Sequence, residues 1–194
     1  MARLDLILPR AAEERLALSA APAHLRAAAT VYVYGDGGYE RTRVGSNDFT
    51  CLVNRDGFFY AGTQLKPTCW DAEGAETYVP VMLEVGRMLA AGASPDEVRG
   101  AVAAGFAEGR FQAPRRGGVA FMLAGDVDVD PATGEVTRQA FPGHYMFYAV
   151  GATSAQLGYD RDAARADATL PSVFAGGAGG EQGLAYIIAV PHPR

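Results

Sequence analysis

The segment Thr30–Tyr34 (TVYVY) is an unbroken run of β-branched and aromatic residues, and it ends in the turn sequence Gly35–Gly38 (GDGG). Such a run favours a strand. Glycine and aspartate accept the turn conformations that reverse it at low cost. Residues 39–44 (YERTRV) then return with one polar face, so the spacing predicts a β-hairpin. Residues 45–48 (GSND) turn again, and 49–53 (FTCLV) read as a third strand. A meander of three antiparallel strands is the simplest expectation. The chain must therefore build an antiparallel sheet and find helices to cover it.

Helices are signalled on both sides of this block. Residues 10–20 (RAAEERLALSA) are good helix formers bounded by Pro9 and Pro22, with Leu16 and Leu18 as the apolar contacts, which predicts a surface helix packed by one edge. Val79–Ala91 places Val81, Met82, Val85, Met88 and Leu89 at helical spacing. Pro80 suits a first helical position and Gly92 a C′ residue. Ser94, Pro95 and Glu97 then form a capping-box signature for a second helix that carries Val98, Val102 and Phe106 and stops near Gly109.

The remaining strands follow in order. Residues 118–124 (GVAFMLA) are apolar on both faces, which marks a central strand. Asp126–Asp130 (DVDVD) continues it outward, residues 131–134 turn, and 135–138 return. Residues 144–150 (HYMFYAV) and 184–190 (LAYIIAV) are two further apolar strands, with a helical turn over 153–157. No βαβ alternation runs through this order. The expected fold is α+β: a largely antiparallel sheet of about six or seven strands, covered on one face by a helical hairpin. Residues 1–194 make one domain, with a helical arm over 1–22 and a flexible loop over 160–183.

Composition narrows the function classes. A net charge of −5, with Arg115–Arg116 as the sole adjacent basic pair, argues against nucleic-acid binding. No apolar run reaches the length of a membrane span. The near absence of lysine beside abundant arginine, alanine and glycine reflects a GC-rich genome. The N-terminal apolar run, Leu6–Leu8, is too short for a signal peptide and is closed by Pro9. The expectation is a soluble protein, periplasmic or secreted if Met1 replaces a removed leader. Oligomeric state and cofactors are not fixed by any motif.

The chemistry-bearing residues gather between Val44 and Glu76. Cys51 shares a strand face with Phe49 and Val53, which predicts a buried thiol. Cys69 follows after an aromatic-rich loop. Either a disulfide or two buried free thiols satisfies this pattern, and closing a loop of that size by a disulfide contributes about 3 kcal/mol. By residue type alone, Cys69, Asp71, Glu73 and His144 could form a thiol nucleophile with an imidazole base, or a zinc ligand set. No CxxC or HExxH spacing supports either. With Asp71 capping a turn, Glu73 in solvent and His144 satisfied at a strand end, the same residues are purely structural. Asp126, Asp128 and Asp130 start like a calcium loop but meet Pro131 and Thr137 where glycine and glutamate belong. Residues 176–183 are glycine-rich without a phosphate-loop pattern. No metal site is therefore expected. Tyr32, Tyr34, Phe58, Phe59, Tyr60 and Trp70 could line an apolar pocket.

Three segments, VGSNDFTCLVNRD, CWDAEG and GHYMFYA, carry a resemblance. They are similar to a family of uncharacterised bacterial proteins with TN-x-F-x-C-L-V, C-Y-D-x-E-G and P-H-x-M-F-Y-like motifs. The matching positions are Asn47, Phe49, Cys51, Leu52 and Val53; Cys69, Asp71, Glu73 and Gly74; and His144, Met146, Phe147 and Tyr148. Ser46, Trp70 and Gly143 depart from the motifs. The resemblance implies an exported, oxidising setting, since these proteins often carry a leader, and it implies no activity.

Two functions are therefore expected in competition. One is a domain that binds a small molecule or a partner, with a Cys51–Cys69 staple and with Trp70, Asn47 and Tyr148 as binding residues. The other is a hydrolase or metal-dependent enzyme built on Cys69, Asp71, Glu73 and His144.

Overall fold

The computed structural model describes residues 4–60, 62–152, 155–156, 158, 160–167, 170, 172–174 and 186–189. Helix α1 spans Arg10–Ser19 and the short α2 spans Ala23–Arg26. Strands β1 (Thr30–Gly35), β2 (Gly38–Arg43) and β3 (Thr50–Asn54) follow, then a 3₁₀ turn at Gly57–Tyr60 and β4 (Lys66–Trp70). The helices α3 (Ala72–Ala90) and α4 (Pro95–Ala107) form the hairpin. Strands β5 (Val119–Met122), β6 (Asp126–Val129), β7 (Val136–Phe141) and β8 (His144–Tyr148) come next. Helix α5 (Arg161–Ala166), β9 (Ser172–Phe174) and β10 (Tyr186–Ala189) complete the order. Among the described residues, eight strands form one sheet in the order β2-β1-β3-β4-β5-β8-β10-β9, and β6-β7 form a separate two-stranded sheet. The fold is α+β with a mostly antiparallel sheet.

The hairpin β1–β2 is as expected, with Tyr34 opposite Tyr39. The three-strand meander is not. Strand β3 pairs with β1, and in parallel, Thr30 opposite Thr50 and Val31 opposite Cys51. Backbone contacts at the turn explain the crossing. Both Ser46 and Asn47 donate their backbone N–H to the Ala28 carbonyl, at 2.8 and 3.1 Å. The Asn47 side chain donates to the Leu25 carbonyl at 3.0 Å. A Cβ on Gly45 would overlap the Ala28–Thr30 backbone. Glycine at 45 thus lets the chain pass beneath the start of β1 and rise on its far side.

Helix α3 starts seven residues before the expected Val79. Asp71 caps it, accepting the Gly74 N–H at 3.0 Å. Pro80 therefore lies inside the helix, where its missing N–H leaves the Glu76 carbonyl without an intrahelical donor. The second helix of the hairpin is as expected: Ser94 and Glu97 form a reciprocal capping box, and Gly92 ends α3 at φ +80°. Asp126–Asp130 does not prolong β5, because Gly125 at φ +71° turns the chain away into the β6–β7 hairpin. The expected loop over 160–183 contains α5 and β9, and residues 176–183 lie outside the described set.

The sheet buries two cores. On one face, Leu52, Trp70, Ala120, Met122 and Met146 pack against Tyr78, Val81, Met82 and Val85 of α3 and Val98 and Val102 of α4. The other face is covered too, beyond the expected helical hairpin. There Val31, Val33, Cys51, Val53 and Cys69 meet Leu16 and Ala17 of α1 and Val127 of β6. Helix α1 is thus no surface arm. Its Glu13 is fully buried against the fully buried Arg55, in a paired contact of 2.7 and 3.0 Å. The Arg55 guanidinium also donates to the Leu6 and Val53 carbonyls and lies 4.1 Å from the Tyr34 ring centroid.

Candidate functional site

Cys51 and Cys69 face each other directly across β3 and β4, with Cα atoms 4.0 Å apart, and are joined as a disulfide. The short Cα separation is that of the closer type of opposed pair in an antiparallel ladder. Both residues are fully buried in the α1-side core. The bond thus belongs to the interior, and Cys69 is no free thiol.

His144 lies on the other side of the sheet. It opposes Met122 on β5, and alternation puts it with Met146 on the face of Trp70 and Ala120. Cys69 opposes Phe121, whose neighbour across β8 is Tyr145, on the α1 face. His144 is buried, and its Nδ1 is 2.8 Å from the Pro142 carbonyl. Burial pushes its pKa down to about 4, with the nearby Lys66 charge acting in the same direction. At the opposite end of β8, Tyr148 marks the position of Asp71, some four residues or roughly 13 Å of strand away. Cys69, His144 and the acidic pair therefore do not converge into one site.

Asp71 and Glu73 do come together, around the loop that links α4 to β5. Asp71 is saturated. Its Oδ1 accepts the Gly74 N–H at 3.0 Å and the Tyr148 hydroxyl at 2.7 Å, and its Oδ2 accepts the Val119 N–H at 2.8 Å. The Tyr148 ring reaches this carboxylate because Gly74 and Gly118 leave the space a Cβ would fill. Burial, and then the bond to Asp71, push the Tyr148 phenol above its ordinary range. Trp70 is buried beside Gly74 and belongs to the core.

Glu73 is buried in the first turn of α3. It accepts the backbone N–H groups of Arg115 and Arg116 at 2.6 and 3.3 Å on one oxygen, and Arg116 Nε at 2.7 Å on the other. The Arg115 N–H, followed by the Arg116 side chain, holds its carboxyl below the usual range. The expected solvated glutamate is thus the post to which the Arg115–Arg116 loop is tied.

That loop and α3 enclose a cleft of about 460 Å³ whose walls include Thr77, Pro80, Arg110, Phe111, Gln112 and Arg115. Across the loop is a second hollow of about 390 Å³, bounded by Arg115, Arg116, Tyr148, Ala149, Val150 and Ile187. Sequence reasoning passed over Arg110, Gln112 and the arginine pair. The arginine pair is visible as the dibasic step between Pro114 and Gly117, while nothing local marks Arg110 or Gln112 as wall residues.

The other expected site residues are structural. Asn47 bridges the Leu25 carbonyl and the Phe49 N–H at 3.0 and 3.1 Å. Asp130 caps its own turn by accepting from Ala132 and Thr133, and Asp128 pairs with Arg138. Among the described residues no cluster of three or more His, Cys, Asp or Glu could hold a metal ion. Likewise no described helix is long and apolar enough to cross a membrane. No protein-family model, curated protein or solved structure matches this chain.

Proposed function

We propose that the protein is a small-molecule-binding domain and that its ligand sits in the cleft between α3 and residues 110–116. The observation that carries this reading is the cleft itself, about 460 Å³ with a mixed polar and apolar lining. That volume falls in the range of small-molecule sites, which pair an apolar body with a few fixed polar groups. Its wall is held in place by Glu73, so the site is organised before a ligand arrives.

The enzyme reading on Cys69, Asp71, Glu73 and His144 is not favoured by any distance in the fold. Cys69 is spent in a disulfide, and Asp71 and Glu73 are each engaged by three donors. The motifs behind the resemblance fall on residues of the frame: Asn47 at the crossing, the Cys51–Cys69 staple, and the Asp71–Tyr148 tie. We take the resemblance as a shared scaffold. With a buried disulfide in that scaffold, we also propose an oxidising compartment as the place of action.

The test is a fragment screen read by amide chemical shifts on labelled protein. Hits should perturb Thr77, Gln112 and Arg115 together. A screen whose hits all map elsewhere, or that yields none, removes the cleft as a binding site.

A further inference from the structure

We infer that the cleft takes an organic oxyanion, a carboxylate or phosphate monoester carried on a small apolar body, with Arg115 as its anchor. This rests on the cleft being the ligand site. Arg110, Arg115 and Arg116 line it, against Glu73 and Glu76, in a chain whose net charge is −5. The charges are not equivalent. Glu73 is answered by two backbone N–H groups and by Arg116. Arg110 is answered by Glu108, at 3.0 Å. Arg115 forms no ion pair among the described residues; its guanidinium donates to the neutral Gln112 Oε1 at 2.9 Å.

Two consequences follow from that contact. No ion pair offsets the guanidinium among the described residues, and its contact with Gln112 leaves other donors of its fork for a ligand. Gln112, whose oxygen is engaged, carries an amide N–H₂ as a second donor on the cleft wall. These donors, grouped beside a cation with no ion pair among the described residues, favour an oxyanion over a neutral polar group, with the exposed Glu76 as the opposing charge on the wall. The apolar wall sets the rest of the ligand. Phe111 is buried against Phe106, with ring centroids 5.7 Å apart, and Arg110 lies 5.3 Å from its ring. Its close fit over Gly105 admits no Cβ there. Pro80 adds a rigid ring and removes one backbone donor from the helix wall. A flat or branched hydrocarbon body fits this surface, with its charged end at Arg115.

The experiment titrates matched probes into the full chain at low salt: 3-phenylpropionate, phenyl phosphate, the neutral 3-phenylpropionamide, and inorganic phosphate. Binding is read by amide shifts at Thr77, Gln112 and Arg115. An organic oxyanion should bind at least about tenfold more tightly than the amide. Arg115→Gln should lose about that factor, while Arg41→Gln on the exposed edge strand β2, the same charge change away from the cleft, should lose none. Preference between the two oxyanions decides carboxylate or phosphate. Equal binding of acid and amide at the cleft, or no effect of Arg115→Gln, overturns the oxyanion inference and leaves the cleft as a binding site. Inorganic phosphate binding as well as the organic probes overturns the role of the apolar wall. Silence from every probe, together with no hit in the fragment screen, removes both readings.

Discussion

The Tyr148 hydroxyl donates to Asp71 at 2.7 Å across 77 positions of chain. This contact ties the end of β8 to the start of α3, and Asp71 also holds the first residue of β5. The start of α3, which lines the cleft, is thus tied to β5 and β8 at one carboxylate. Tyr148→Phe should lower stability by about 1.5–3 kcal/mol, the range for a hydrogen bond to a charged partner. Asp71→Ala should lower it more, because the helix also loses its cap. A double-mutant cycle by urea unfolding should show a coupling of about 1–2 kcal/mol. Strict additivity would mean that the contact contributes nothing.

The buried staple makes a chemical prediction. Alkylation under denaturing, non-reducing conditions should leave intact mass unchanged, and prior reduction should add two adducts, one each on Cys51 and Cys69. The double variant Cys51→Ala/Cys69→Ala should lose about 3 kcal/mol, since the bond closes a loop of eighteen residues' separation. Adducts on the unreduced protein would refute the bond.

Glu13 and Arg55 are both fully buried, so removing one partner strands the other's charge. Glu13→Ala should cost about 3–5 kcal/mol by chemical denaturation. Replacing both by apolar residues should recover a large part of that loss. A single variant of wild-type stability would mean that the guanidinium reaches water.

Two groups near Lys66 oppose each other between pH 4 and 6. Burial raises Asp126 to about 6, despite Lys66, and lowers His144 to about 4. A raised carboxylate favours the folded state below its unfolded pKa near 4, and that contribution fades as pH rises through 6. A depressed histidine favours it above about 6.5, and that contribution fades as pH falls through 4. The wild-type protein should therefore show a shallow profile in this window. Asp126→Asn should expose the histidine's slope, losing on the order of 2–3 kcal/mol on acidification from pH 6.5 to 4. His144→Gln should instead become more stable over the same change. Parallel profiles for all three proteins would reject the opposition.

Local patterns carried much of the fold. The β1–β2 hairpin, the capping box at Ser94 and the glycine stop at Gly92 depend on neighbours a few residues apart, and each is as the sequence implied. The parallel pairing of β1 with β3 was hidden because it depends on where residues 45–48 cross, which Asn47 and Gly45 settle by contacts with Leu25 and Ala28–Thr30. Pro80 misled for a related reason: the cap that starts α3 is at Asp71, and a well-founded helix tolerates a proline in its interior. At the site, Asp71 and Glu73 were legible as polar residues near a helix start. Their partners were not, since Tyr148 and the Arg115–Arg116 loop reach them over separations of 77 and about 42 residues. His144 was recognisable as a satisfied histidine, while its side of the sheet followed only from the β5–β8 register.

The Glu13–Arg55 pair has a consequence for how the chain is made. Helix α1 leaves the ribosome ahead of its counter-ion by 42 residues. During that interval a carboxylate destined for the interior has only water and short-lived partners. The arginine, in turn, can enter the core only if the earlier segment is still attached and correctly placed. Helix α1 and the segment that follows β3 must therefore be buried together. An expression boundary drawn after Glu13 should yield an aggregating product, however intact the sheet looks on paper.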